Sequence, residues 1–274
     1  MKNILFYCMV VMLFSSMVGL ADDNAPALLE LLDGRQYKVY LMGIQDDVVS
    51  TEYQKLRQKK SYGKSDIKQL KFTHKKFDIE PVEEAYLNAD YAEVIRLLEP
   101  IMAPYEDYMS VSNNLQETFG VLMMAYSRSG NHQRAGSLSA DLVGTDDASL
   151  KLDALVCGAL AAAKLGDVEG AEALLEQIKD PAAALYVKAS IEQAKGMPKE
   201  AMKTYIEVVA QHKNDMKWLP PSELLGAELY LEMGRTNSAF VTARQTQKIY
   251  AGMNFGKEAE AMRSKLELLL VDSE

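Results

Sequence analysis

One short turn design recurs five times in the 274-residue chain and constrains its fold more than any other feature. Each copy has a pair of small or polar residues, an Ala or Val five positions after the first of them, and then an apolar helix face. Glycine in such a turn adopts the left-handed backbone conformation that ends a helix at little conformational cost. A small residue in the next helix lets two antiparallel helices approach closely. The pattern therefore predicts five helix hairpins. Their turns begin at Ala89, Gly130, Gly166, Gly196 and Gly234, and the small residues are Val94, Ala135, Ala171, Ala201 and Ala239.

These hairpins resemble tetratricopeptide repeats, whose pattern combines a small residue and an aromatic residue in the first helix with Ala and an aromatic residue in the second. The turns lie 30 to 41 residues apart, around the roughly 34 residues of the family repeat. The resemblance implies a mainly α fold in which residues 81–254 form five hairpins of a right-handed αα-hairpin solenoid. The residues that carry it are Tyr126, Gly130, Ala135, Ala159, Gly166, Ala171, Ala189, Gly196, Ala201, Tyr205, Ala227, Tyr230, Gly234 and Ala239.

Residues 256–271 are predicted to form a last helix, because charged positions there precede a leucine-rich end. A solenoid needs such a capping helix, since the open end of its last repeat would expose core surface. Prolines at positions 100, 104, 181 and 220–221 mark the linkers between hairpins, because proline ends one helix or opens the next.

Residues 28–76 predict a small antiparallel β module in front of the helices. Strands are expected at residues 36–41, 48–53 and 67–72, where β-rich runs are separated by turn signals such as Asp33-Gly34. An isolated hairpin is marginal in water, so three or four strands should either curl into a small barrel or lean on the helices that follow. The pattern is similar to SH3-like barrels.

The first 21 residues predict a signal peptide. Lys2 supplies a positive start, Ile4 to Val18 is almost entirely apolar, and Gly19-Leu20-Ala21 offers the small residues at which a signal peptidase cuts. Cleavage after Ala21 predicts a periplasmic or secreted protein. The alternative is an uncleaved segment that anchors the chain in a membrane.

Composition and motif content argue against several functions. A formal net charge of -9 and a pI near 5.0 disfavour general nucleic-acid binding, because phosphate contacts need clustered Lys and Arg. The sequence contains none of the usual zinc, nucleotide or hydrolase signatures. We therefore expect no enzyme, no catalytic residue, no metal site and no cofactor. Cleavage would leave Cys157 as the one cysteine, expected as a small buried hydrophobe.

Positive charge concentrates in and after the β module. The stretch from Lys55 to Lys60 is followed by Lys68, Lys71, Lys75 and Lys76. We interpret these side chains as protection of edge strands and as solvated turns. The alternative is a patch for an acidic polymer or for anionic headgroups.

A protein or peptide ligand is expected on the inner surface of the solenoid, which the first helices of the hairpins would line. Tyr186 and Gln193 are preferred because they combine contact area with hydrogen bonding, whereas Met124 and Leu160 are equally compatible with the core. The predicted partner-binding residues are Met124, Ser127, Leu160, Tyr186, Ser190, Gln193 and Glu228.

The sequence thus favours an exported scaffold or adaptor that holds a protein or peptide, with the β module as a second contact or as the edge of a homodimer. Two alternatives stay open. One is a structural envelope component, anchored by an uncleaved first segment; the other is a hydrolase with an unrecognised site. A membrane is expected to be involved only if the first segment stays uncleaved.

Overall fold

The computed structural model describes residues 25–72 and 78–271. The chain divides into two compact units, residues 1–74 and 75–274, called here the sheet unit and the helical unit. The predicted signal peptide, residues 1–21, lies outside the described residues. The fold is mainly helical, with an antiparallel sheet at its N-terminal end.

The sheet unit contains five antiparallel strands in the order β4-β3-β2-β1-β5. Hydrogen bonding puts β4 and β5 at opposite edges, yet only the three-residue 3-10 helix Lys64–Asp66 joins them in sequence. Four strand spacings in a flat sheet would separate those edges by about 19 Å, so the sheet has to curl. The strands are β1 (Ala25–Leu31), β2 (Gln36–Gln45), β3 (Val48–Tyr53), β4 (Lys59–Gly63) and β5 (Ile67–Phe72).

Alternation along the strands separates a buried face from a polar one, as expected when successive side chains point to opposite sides. Leu29, Val39, Leu41, Val49 and Leu70 are all fully buried on the inner face. The paired registers keep these residues on one face of the sheet across the neighbouring strands. This buried face is the core of the sheet unit.

The predicted strands at 36–41, 48–53 and 67–72 are confirmed, but β1 and β4 were missed. Strand β1 is rich in Ala, Leu and Glu, which favour helices more than strands. Strand β4 has the sequence KKSYG, and only Tyr62 in it is buried. Neither segment shows the alternation of apolar and polar residues that marks a half-buried strand.

The helical unit contains eleven α-helices among the described residues. None of them is long and apolar enough to cross a membrane. They are α1 (Glu80–Leu87), α2 (Tyr91–Met102), α3 (Gln116–Arg128), α4 (His132–Leu142), α5 (Ala148–Lys164), α6 (Val168–Leu175), α7 (Pro181–Ala194), α8 (Pro198–Gln211), α9 (Leu219–Glu232), α10 (Thr236–Ile249) and α11 (Asn254–Val271).

All five predicted turns connect consecutive helices and have the expected left-handed backbone. The φ angles are +85° at Gly130, +86° at Gly166, +72° at Gly196, +71° at Gly234 and +56° at Ala89. Helices α1 and α2, α3 and α4, α5 and α6, α7 and α8, and α9 and α10 are the pairs so joined, and the members of each pair pack together.

Three of the turns also supply the cap of the following helix. Asp90, Asn131 and Asp167 each accept a hydrogen bond from the backbone N–H three residues later. This contact satisfies one of the donors that a helix start leaves unpaired. The same two residues therefore end one helix and begin the next.

First helices of neighbouring pairs form a layer, since α3 packs on α5, α5 on α7, and α7 on α9. The predicted small residues Val94, Ala135, Ala171, Ala201 and Ala239 are all fully buried. Helix α11, predicted for residues 256–271, begins at Asn254 and packs on α10, α9 and α1. It therefore reaches beyond the last pair to the first one.

We expect Gly256→Ala to lower the free energy of unfolding by about 1–3 kcal/mol. A Cβ at this position would lie 2.2 Å from the carbonyl oxygen of Tyr250, so the backbone that leads into α11 would have to shift. Urea denaturation followed by far-UV circular dichroism measures the change.

Gly136→Ala in α4 is the matched control, because its Cβ would meet Ala161 Cβ at an ordinary 3.5 Å. This variant should gain about 0.5–1 kcal/mol from better helix propensity. Equal stabilities of the two variants would contradict the tight junction at Gly256.

Candidate functional site

A cavity of about 820 Å³ opens in the helical unit on the side of the first-helix layer. Helices α3, α5, α7, α9 and α11 contribute its walls. All seven residues predicted to bind a partner line this cavity, namely Met124, Ser127, Leu160, Tyr186, Ser190, Gln193 and Glu228. The structure thus brings together residues that are more than 100 positions apart in the sequence.

The seven residues differ in how much they can offer to a ligand. Tyr186, Ser190 and Gln193 are buried, whereas the other four are half-buried. The Ser190 hydroxyl donates to the carbonyl oxygen of Tyr186 at 3.1 Å, so its donor is used within its own helix. Among the described residues, no side chain or backbone group hydrogen-bonds the Tyr186 hydroxyl. That hydroxyl is therefore available in the cavity.

Met124 and Leu160 belong both to the cavity and to the protein interior. Leu160 packs against the main apolar cluster of α5 to α9. The thioether of Met124 lies 3.5 Å from the thiol of Cys157. Cys157 is buried, as predicted, and burial raises the pKa of its thiol to about 11. The thiol stays protonated at neutral pH.

A row of hydrogen-bonded polar side chains runs from α5 through α7 to α9, and its members Lys164 and Gln193 line the cavity. Lys164 Nζ donates to Gln193 Oε1 at 3.3 Å, and Gln193 Nε2 donates to Glu232 Oε1 at 2.5 Å. Glu228 lies one helical turn before Glu232, and burial raises the pKa of its carboxyl although the Lys164 ammonium lowers it. The row holds Gln193 in a fixed orientation.

Trp218 is a wall of the cavity that the sequence analysis missed. It is the single tryptophan of the chain, it is 4% exposed, and its ring stacks on that of Tyr186 at a centroid distance of 6.1 Å. It precedes the first residue of α9. It therefore lies outside the first-helix positions from which the partner-binding residues were predicted. A lone tryptophan beside two prolines was the only local signal for it.

Arg128 is the second residue that was missed. Its side chain is 15% exposed, its Nη1 donates to Glu258 Oε2 at 3.4 Å, and its guanidinium lies 4.9 Å from the Phe255 ring. Burial lowers the pKa of Arg128, but electrostatic interactions with Tyr186 and Glu258 outweigh it and raise the pKa. The guanidinium is therefore permanently charged at the cavity wall.

The partner of Arg128 also fastens the last helix. Glu258 of α11 accepts a hydrogen bond from the Tyr91 hydroxyl at the start of α2, and Asn254 Nδ2 donates to the same hydroxyl oxygen at 3.0 Å. Burial, with Glu258 as a second cause, raises the pKa of Tyr91. Because these contacts join residues 130 or more positions apart, no local pattern could indicate them.

A second cavity, of about 500 Å³, adjoins the first and shares Met124, Arg128 and Trp218 with it. Among the residues that line it, Asp153 Oδ1 pairs with Lys217 Nζ at 2.7 Å, and the same ammonium lies 5.2 Å from the Trp218 ring. Burial raises the pKa of Asp153, while Lys217 opposes that shift. Trp218 and Arg128 thus stand between two adjacent cavities.

The described residues contain no group of His, Cys, Asp and Glu side chains that could hold a metal ion. His132, the first residue of α4, lines the larger cavity, and burial lowers the pKa of its imidazole, with Lys164 as a second cause. His212 ends α8, and His74 lies outside the described residues. The walls of both cavities combine aromatic rings, apolar side chains and fixed charges, which is the composition of a binding site.

A comparison with known protein families finds no family model that matches this chain, and a comparison with curated proteins finds no match. A function can therefore be argued only from the cavities and their lining residues.

We expect Glu228→Gln to stabilise the helical unit at pH 8 and to leave its stability at pH 4 nearly unchanged. A carboxyl whose pKa is raised by folding contributes stability below its ordinary pKa of about 4.5, and that contribution is lost as the pH rises through the raised value. Urea denaturation at both pH values measures the difference.

Glu207→Gln in α8 is the control for this prediction, because Glu207 is exposed and does not line the cavity. Its stability should follow that of the unmodified protein at both pH values. A gain for Glu228→Gln that was equally large at pH 4 would contradict a desolvated, charged carboxylate at this position.

We expect Glu258→Gln to reduce the free energy of unfolding by roughly 1.5–3 kcal/mol, because the largely buried Arg128 guanidinium, 15% exposed, would lose its ionic hydrogen bond to Glu258. Glu260→Gln on the same helix is the control, since Glu260 is half-exposed and pairs with the exposed Lys257 at 3.4 Å. It should stay within about 0.5 kcal/mol of the unmodified chain. A loss no larger for Glu258→Gln than for this control would contradict the fastening role of Glu258.

Proposed function

We propose that the chain is an exported adaptor that holds a segment of a partner protein, or a peptide, in the larger cavity of its helical unit. The observation that carries the proposal is the convergence of all seven predicted partner-binding residues on that one cavity. We further propose that the helix pairs form a right-handed solenoid of the tetratricopeptide kind, in which the first helices line the binding surface.

Three features support the solenoid. The turns share their left-handed backbone at the predicted positions. The predicted small residues of the second helices are fully buried. First helices of neighbouring pairs pack in sequence order, α3 on α5, α5 on α7 and α7 on α9. Each pair contacting mainly its neighbours is the packing that defines repeat proteins.

The residue types in the cavity support a peptide or protein segment as the ligand. Trp, Tyr and Arg are the residues that most often dominate binding energy at the centre of interfaces. Trp218 and Arg128 lie where the two cavities meet, and Tyr186 stacks on Trp218 in the larger cavity. Polar groups that neighbours already hold in place, such as Gln193, would hydrogen-bond the backbone or side chains of a bound segment. Their further loss of conformational entropy on binding would be small.

Export is proposed from the first 21 residues alone. Their positive start, apolar run and small residues before position 22 have the order of a signal peptide. An adaptor of this kind would act in the periplasm or outside the cell, as a chain that begins at Asp22.

The test is a selection of random displayed peptides on the chain that begins at Asp22. Enriched peptides are synthesised and titrated while the fluorescence of Trp218 is followed; since Trp218 is the only tryptophan, any change of emission reports on the cavity wall. We expect Tyr186→Phe to weaken binding roughly two- to tenfold, the effect of one neutral hydrogen bond.

Tyr205→Phe is the matched control, because Tyr205 of α8 is half-buried and does not line the cavity. It should leave the affinity unchanged. Failure of the selection to enrich any peptide, or peptides whose binding leaves both Trp218 emission and the Tyr186→Phe affinity unchanged, would remove the cavity as the binding site.

A further inference from the structure

The turn between β3 and β4 presents an exposed leucine among four cationic side chains. Leu56 is 68% exposed, and Lys55, Arg57, Lys59 and Lys60 are exposed on either side of it. Residues 53–60 contain no acidic side chain. These residues, 53–60, are called here the basic tip.

The basic tip is held in a fixed conformation by its backbone. Arg57 N donates to Tyr53 O at 2.9 Å, and Tyr53 N donates to Gln58 O at 2.9 Å. Gln54 ties the turn to β2, because its backbone N donates to Lys38 O at 3.1 Å and its side-chain amide to Val39 O at 3.1 Å. Leu56 is therefore displayed by an ordered turn.

Most of the positive charge at the basic tip is not neutralised. Arg57 pairs with Glu52 at 2.9 Å. The Lys60 ammonium lies 4.9 Å from the centre of the Tyr62 ring, and this cation–π contact does not neutralise its charge. Among the described residues, neither Lys55 nor Lys59 forms an ion pair. Residues 25–72 as a whole carry nine Lys and Arg against six Asp and Glu, in a chain whose net charge is -9.

We propose that the basic tip docks on an anionic lipid surface, with Leu56 entering the interfacial layer and the four cations contacting headgroups. Cations near an anionic bilayer are attracted through its surface potential. An exposed leucine between them gains free energy only if the bound surface has an apolar phase. This second feature favours a bilayer over a polyanion, for which the charges alone would suffice. The inference does not depend on peptide binding in the helical unit.

The experiment is sedimentation of the chain that begins at Asp22 with vesicles of phosphatidylcholine and phosphatidylglycerol, and with vesicles of phosphatidylcholine alone. We expect binding to the anionic vesicles only. Lys55→Gln with Lys59→Gln should weaken it about 30-fold, at roughly fivefold for each charge. Leu56→Ser should weaken it about tenfold, as expected for partial burial of one leucine.

Leu32→Ser is the matched control. Leu32 is 67% exposed in the turn after β1, but the charges beside it cancel, since Arg35 pairs with Asp33 at 2.5 Å. This variant should bind as the unmodified chain does. Three results would overturn the proposal: no binding to the anionic vesicles, equal losses for Leu32→Ser and Leu56→Ser, or a loss from the two lysine changes with none from Leu56→Ser. The last result would show that charge alone accounts for the attraction and that Leu56 does not enter the bilayer.

Discussion

Paired helices can bury their apolar faces only when their backbones come within contact distance, and this close approach underlies the helical unit. At some of these contacts both residues are small, as where Gly136 of α4 faces Ala161 of α5. A Cβ on Gly158 would lie 2.7 Å from the Ser139 hydroxyl, and Ala135 of α4 is fully buried. Larger residues there would separate the pairs and open the core. The left-handed turns serve the same constraint, because they reverse the chain within two or three residues.

Helix α11 turns the first-helix layer into a walled site. It contributes Glu258 and Met262 to the larger cavity, and its hydrogen bonds to Tyr91 reach the first helix pair. Packing of this kind fixes the size of the cavity. The two cavities also contain carboxyl groups whose charge burial disfavours: Glu228 in the larger cavity and Asp153 in the smaller one have raised pKa values for that reason. Carboxylates kept at such a cost in free energy concentrate at sites that bind or react, and this is consistent with selection for a ligand.

Local patterns predicted the parts of the fold that local interactions determine. The five turns could be located because glycine and a capping residue act within a few positions, as at Gly130 and Asn131. Inward-facing residues of the first helices could be counted from those turns, which is why Gln193 and Glu228 were found. Arg128 and Trp218 were not, since their roles depend on partners such as Glu258 that are distant in sequence. Strand β1 was missed because its pairing with β2 and β5 overrides the helix propensity of its residues.

The net charge of the whole chain does not show how charge is divided between the two units. Residues 25–72 carry nine basic and six acidic side chains, whereas residues 78–271 carry 18 basic and 29 acidic ones. The pI near 5.0 of the whole chain therefore reflects the acidic residues of the helical unit. The net charge of residues 25–72 is positive. Electrostatic attraction acts over about 10 Å at ordinary ionic strength, so a partner approaching the basic tip experiences the charges of Lys55 and Lys59 far more than the chain average. An acidic protein can thus present a cationic surface, provided that the cations are grouped on a rigid turn whose own acidic residues are few.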